Sequence, residues 1–83
     1  MELVAARISD EQVEVTLADG TGLIGLTGTP DEIVALCEAM DETALLAGAS
    51  DQPAWVRTVR VGTDVVRLGI GSGRVRLIVG PAG

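Results

Sequence analysis

Histidine, lysine, tyrosine and phenylalanine do not occur in this 83-residue chain, and cysteine and tryptophan occur once each, as Cys37 and Trp55. Without histidine, lysine or tyrosine the usual proton carriers near neutral pH are gone, and only Asp, Glu, Cys, Ser, Thr and Arg remain for acid–base work. Cys37 lies in the middle of a helical segment, away from its activating N-terminus, with no histidine to take a proton. It therefore reads as a buried small hydrophobe. No catalytic residue is assigned, and no enzyme is expected. One cysteine and no histidine leave no zinc ligand set. Glu38, Asp41 and Glu42 offer a hard cation only a weak carboxylate cluster, without EF-hand spacing, so neither metal nor cofactor is expected.

The remaining shortages bound location and partners. A single cysteine forms no internal disulfide, which fits a reducing compartment. No apolar run reaches transmembrane length, and Met1-Glu2 leads into strand-like sequence without a basic leader, so the expectation is a cytoplasmic protein with no membrane role. Six arginines face twelve acids, for a net charge of −6. That balance argues against nucleic acid and anionic membranes as partners. Aromatics are so scarce that the core must be assembled from many small aliphatic side chains.

What is present is organised around one helical stretch, residues 30–47. Thr29-Pro30-Asp31-Glu32 is a capping box with proline in the first turn and acids at the positive end of the dipole. Gly48 is the expected stop. Ile33, Leu36, Cys37, Met40, Ala44 and Ala47 fall at helical spacing on one face.

On either side the pattern alternates as strands do. Residues 3–26 read as a three-stranded meander. Pairing Ile8 with Val13 sets Ala6 opposite Val15, Val4 opposite Leu17, and Arg7 opposite Glu14 on the other face. A type I′ turn on Asp19-Gly20 would then align Leu17 with Gly22, Val15 with Ile24 and Val13 with Leu26. Residues 54–79 read as a second meander with turns at Gly62-Thr63 and Ser72-Gly73. Val59 then opposes Val66, Leu68 opposes Leu77, Ile70 opposes Val75 and Val66 opposes Val79. Arg57 is out of place on the aliphatic face and must snorkel or pair with a helix carboxylate. Residues 80–83 read as a frayed tail.

The expected fold is thus α+β, a single domain of order βββ-α-βββ, with two antiparallel three-stranded meanders packed on one central helix. Six strands about 4.8 Å apart span roughly 29 Å, whereas a helix is only ~10 Å in diameter. Something besides the helix must close the core: folding of the meanders onto each other, sheet curvature, or a second copy of the chain.

Glycine-rich turns at Gly20-Thr21-Gly22 and Gly71-Ser72-Gly73 join strand to strand, which makes them hairpin turns and not phosphate loops. Charge is segregated. Residues 1–49 hold ten acids and one arginine (−9), and residues 50–83 hold two acids and five arginines (+3), which sum to the net −6. In the expected register Val56, Thr58, Arg60, Val65, Arg67, Arg74, Arg76 and Ile78 share one face of the second meander. Arginine beside aliphatic groups suits a protein interface, because guanidinium is weakly hydrated and forks onto carboxylates. The expectation is a small acidic interaction domain that self-associates, as a homodimer or higher assembly, through that face. The alternative is an acidic accessory, or an immunity or antitoxin-like protein, whose carboxylates bind a basic partner protein.

Overall fold

The computed structural model describes residues 2–9, 11–18 and 22–82. Along the chain lie β1 (Glu2–Ser9), β2 (Gln12–Ala18), β3 (Leu23–Gly28), α1 (Pro30–Ala49), β4 (Ala54–Val61), β5 (Asp64–Gly71) and β6 (Arg74–Pro81). Two antiparallel sheets form, ordered β1-β2-β3 and β4-β5-β6, so the fold is α+β with one helix.

The second sheet follows its turn chemistry. Val59 opposes Val66, Leu68 opposes Leu77, Ile70 opposes Val75 and Val66 opposes Val79. Gly62 takes φ +61° at the first turn, while Ser72 and Gly73 take φ 55° and 72° at the second. Positive φ at both central residues is the signature of a type I′ hairpin turn. β6 runs on into the segment read as a tail: Gly80 and Pro81 pair with Val65 and Asp64, and the Ala82 N–H donates to the Thr63 carbonyl at 2.8 Å. Pro81 lacks an N–H, which an edge strand such as β6 tolerates.

Two β-bulges correct the expected pairing. In β1 the register shifts between Leu3 and Ala5, so Leu3, not Val4, opposes Leu17. In β4 it shifts between Trp55 and Arg57, so Arg57 opposes Leu68 and Trp55 opposes Gly69. A bulge inserts one residue and reverses the alternation beyond it. Val56 therefore drops out of the expected arginine face, and Trp55 takes its place.

The β2–β3 pairing also differs, by two residues. Leu17 opposes Ile24, Val15 opposes Leu26 and Val13 opposes Gly28. An even shift keeps every side chain on its face, which is why the aliphatic pattern could not expose it. The turn expected on Asp19-Gly20 lies outside the described residues.

At the start of α1 the capping box forms in full. The Glu32 N–H donates to Thr29 Oγ1 at 3.2 Å, and the Thr29 N–H donates to Glu32 Oε1 at 2.9 Å. The C-terminus overruns its expected stop: Gly48 is helical, and Ser50 caps in extended geometry with its N–H on the Leu46 carbonyl. The buried face is also turned. Ile33, Leu36 and Ala47 are buried as expected, but Ala39 and Thr43 join them, while Cys37 and Ala44 are exposed. Ala39 and Thr43 are small enough to let the helix approach its sheet closely. The Thr43 hydroxyl is satisfied by the Ala39 carbonyl at 2.6 Å, which removes the cost of burying a polar group. Cys37 is thus an exposed thiol and not part of the core.

Val15, Leu17 and Leu26 from the first sheet meet Ile33, Leu36 and Ala39 from α1 and Val59, Val61, Val66 and Leu68 from the second. The helix lies mainly across β4, β5 and β6, and in the first sheet it reaches chiefly β2. β1 is left uncovered. Each of its described side chains is exposed, with Ile8 at 77%. The helix is too narrow to cover both sheets, as the diameter argument requires.

The two sheets meet at a glycine junction. A Cβ on Gly62 would stand 2.3 Å from the Thr27 carbonyl oxygen, and one on Gly28 would stand 2.8 Å from Val61 Cγ1. Glu32 Oε1 also accepts from the Gly62 N–H at 3.1 Å, so the capping carboxylate ties the β4–β5 turn to the helix start. The Thr29 and Gly62 N–H groups hold the Glu32 carboxyl below its ordinary pKa, with a smaller contribution from the positive charge of Arg60.

Candidate interaction surface

The face of the second sheet that points away from α1 carries the arginines, because Val66, Leu68 and Ile70 take the inward positions of β5 and leave Arg67 and its i±2 neighbours facing outward. Thr58, Arg67 and Ile78 lie in one row across the three strands, and Arg60, Val65 and Gly80 lie in another. Arg67, Arg74 and Arg76 are exposed, Val65 is half-buried, and Ile78 is 51% exposed.

The bulge in β4 supplies the centre of this surface. Trp55 rests on Gly69, where a Cβ would approach Cε3 of the indole to 2.7 Å. Arg67, diagonally opposite on β5, holds its guanidinium 4.5 Å from the indole centroid. That distance is within cation–π range. Arg76 folds across Gly71, with Cδ 3.1 Å from where a Cβ would stand. Trp55, Gly69, Gly71, Arg74, Arg76 and Ile78 line an open groove of about 820 Å³. The missing side chains at the two glycines let Trp55 and Arg76 lie close over the sheet, and both line the groove.

Of the eight residues expected on this face, Arg74, Arg76 and Ile78 line the groove, and Arg67 joins it through Trp55. Thr58 sits beside Arg67. Arg60 and Val65 lie toward the other end of the sheet, where Arg60 Nε donates to the Gly62 carbonyl at 3.4 Å. Val56 is the bulged residue. Sequence reasoning missed Trp55, Gly69 and Gly71, although one signal was available: glycines inside a strand mark close approach by another group, and the chain has one large aromatic to approach them.

The helix side carries the opposite charge. Glu38, Asp41 and Glu42 are exposed on α1, and the last turn has no basic residue. Glu42 pairs with Arg57 at 2.7 Å. The misplaced arginine is thereby reconciled: opposite inward-facing Leu68 it stays on the helix side of the sheet, half exposed, and its charge is answered by a helix carboxylate. Among the described residues no three Cys, His, Asp or Glu side chains converge to hold a metal ion, and no helix is long and apolar enough to cross a membrane. No family model, curated protein or solved structure matches this chain.

Proposed function

We propose that this protein is a non-enzymatic interaction domain that self-associates through the outer face of its second sheet. In this reading the meander–helix–meander unit is completed by another copy of itself. The single observation that carries the reading is Trp55, half exposed, seated on Gly69 and braced by Arg67 beside the exposed Ile78, Arg74 and Arg76. Trp and Arg dominate the energetics of protein interfaces, and a side chain already held in place loses little entropy on binding. The chain's uneven charge supports self-association, because the arginine face meets its complement in the acids of residues 1–49.

Light scattering after gel filtration tests this. Assembly is expected to grow from low to high micromolar concentration and to weaken with salt, and the emission of the lone tryptophan is expected to shift to the blue as Trp55 is buried. Trp55→Ala and Arg67→Glu should abolish it. A monomer with unshifted emission at high micromolar concentration would end the proposal.

A second reading rests on the exposed Glu11, Glu14, Glu38 and Asp41: an acidic accessory that docks on a basic protein. Retention of a basic partner that survives charge reversal at Glu38 and Asp41 would count against it.

A further inference from the structure

The helix and the second sheet form a two-layer slab whose two outsides differ in sign. One outside is the arginine–tryptophan face. The other is the exposed side of α1, where Val34, Glu38, Asp41 and Leu45 follow i, i+4, i+7 and i+11 and so share one line of the helix. All four are exposed, Leu45 at 78%. Cys37, Ala44 and Gly48 run beside them, also exposed and small enough to admit a close neighbour. Among the described residues the one ion pair is Arg57–Glu42, so Glu38 and Asp41 are left without basic partners, as are Arg74 and Arg76 without acidic ones.

We infer that the partner of the arginine face is the Val34–Glu38–Asp41–Leu45 stripe of a second copy, which makes the assembly head-to-tail. This rests on the self-association proposed above and names the surface that answers it. Two copies meeting sheet to sheet would set Arg67, Arg74 and Arg76 against the same arginines, and like charges in a contact are costly. A helix laid on the sheet instead offers two acids to the arginines and two aliphatics to Trp55 and Ile78. It reads as a helix docked in a groove by i, i+4, i+7 and i+11 contacts. The two surfaces lie on opposite sides of one slab, so a single partner cannot engage both. Such a heterologous contact propagates along a row of copies or closes into a ring, and it does not stop at a two-fold dimer.

The test uses the full chain in two variants, Glu38→Arg/Asp41→Arg on the helix and Arg67→Ala/Arg76→Ala on the sheet, each checked by circular dichroism. A milder helix variant, Glu38→Gln/Asp41→Asn, serves if the reversal perturbs α1. Light scattering should show the unchanged chain exceeding the mass of two copies as concentration rises. Each variant alone should be monomeric. An equimolar mixture should stop at two copies, since only one compatible pair of surfaces remains. If the helix variants assemble as the unchanged chain does while the arginine variant is monomeric, the arginine face stands and the helix stripe is overturned as its partner. A discrete dimer of the unchanged chain overturns the head-to-tail arrangement. A monomer at all concentrations removes both proposals.

Discussion

The two meanders share a pattern and differ in fate. In the second sheet Val59, Val61, Val66, Leu68 and Ile70 are all buried, whereas among the described residues of the first sheet the buried aliphatics are Val15, Leu17 and Leu26, and Ile8, on the same face, is open to solvent. Both sheets alternate aliphatic with polar residues, so alternation alone does not explain the contrast. Alternation decides which face of a sheet is apolar. Coverage depends on what lies over that face, and one helix of ~10 Å diameter resting on β4–β6 leaves β1 bare. The uncovered strand thus follows from geometry and not from poorer sequence.

Truncating one aliphatic side chain in each sheet should separate the two sheets most widely. Leu68→Ala, on the central strand of the covered sheet, should cost about 2–5 kcal/mol in urea denaturation, from lost burial and the cavity left behind. Ile8→Ala on β1 should stay within about 0.5 kcal/mol under dilute conditions. A large loss at Ile8 would show that the first sheet is covered in solution by something other than its own helix.

Glycines give the next contrast. Gly62→Ala should destabilise by about 2 kcal/mol, because its φ is positive and its Cβ would strike the Thr27 carbonyl. Gly25→Ala in β3 meets nothing within 4 Å, and should be neutral or stabilising by up to ~1 kcal/mol. Thermal melts of the two variants decide whether the junction between the sheets is as tight as its geometry.

The smallest effect lies at that same junction. The folded-state pKa of Glu32 is lowered by the N–H groups of Thr29 and Gly62. A lowered pKa means that its contribution is fully present above the ordinary glutamate pKa and fades as pH falls through the lower folded value. Glu32→Gln should therefore lower stability at neutral pH and flatten the acid limb of a stability-versus-pH curve. An acid limb identical to that of the unchanged chain would mean that the tie between helix and turn is not held by charge.

Much of this architecture was legible in the sequence because it is local. The capping box at Thr29 and Glu32 is four residues long and satisfies its own donors. The second sheet was readable because Gly62 and Ser72-Gly73 pin two turns, and turns pin registers. The expected interface was readable only in part. Arg67, Arg74, Arg76 and Ile78 follow from those registers, but Trp55 does not.

The residues alone carried the α+β class with a helix between strands, the start of that helix, the pairing of β4, β5 and β6 around their turns, and the segregation of charge. Each depends on contacts within a few residues or on composition. Tertiary structure alone decided the bulges at Val4 and Val56, the turned helix face that buries Thr43 and exposes Cys37, and the seating of Trp55 on Gly69. Each of these trades one acceptable local arrangement for another of similar energy, and the choice is made by what packs against it. A one-residue slip in β4 costs little locally, yet it carries the only large aromatic of the chain from the aliphatic face to the arginine face.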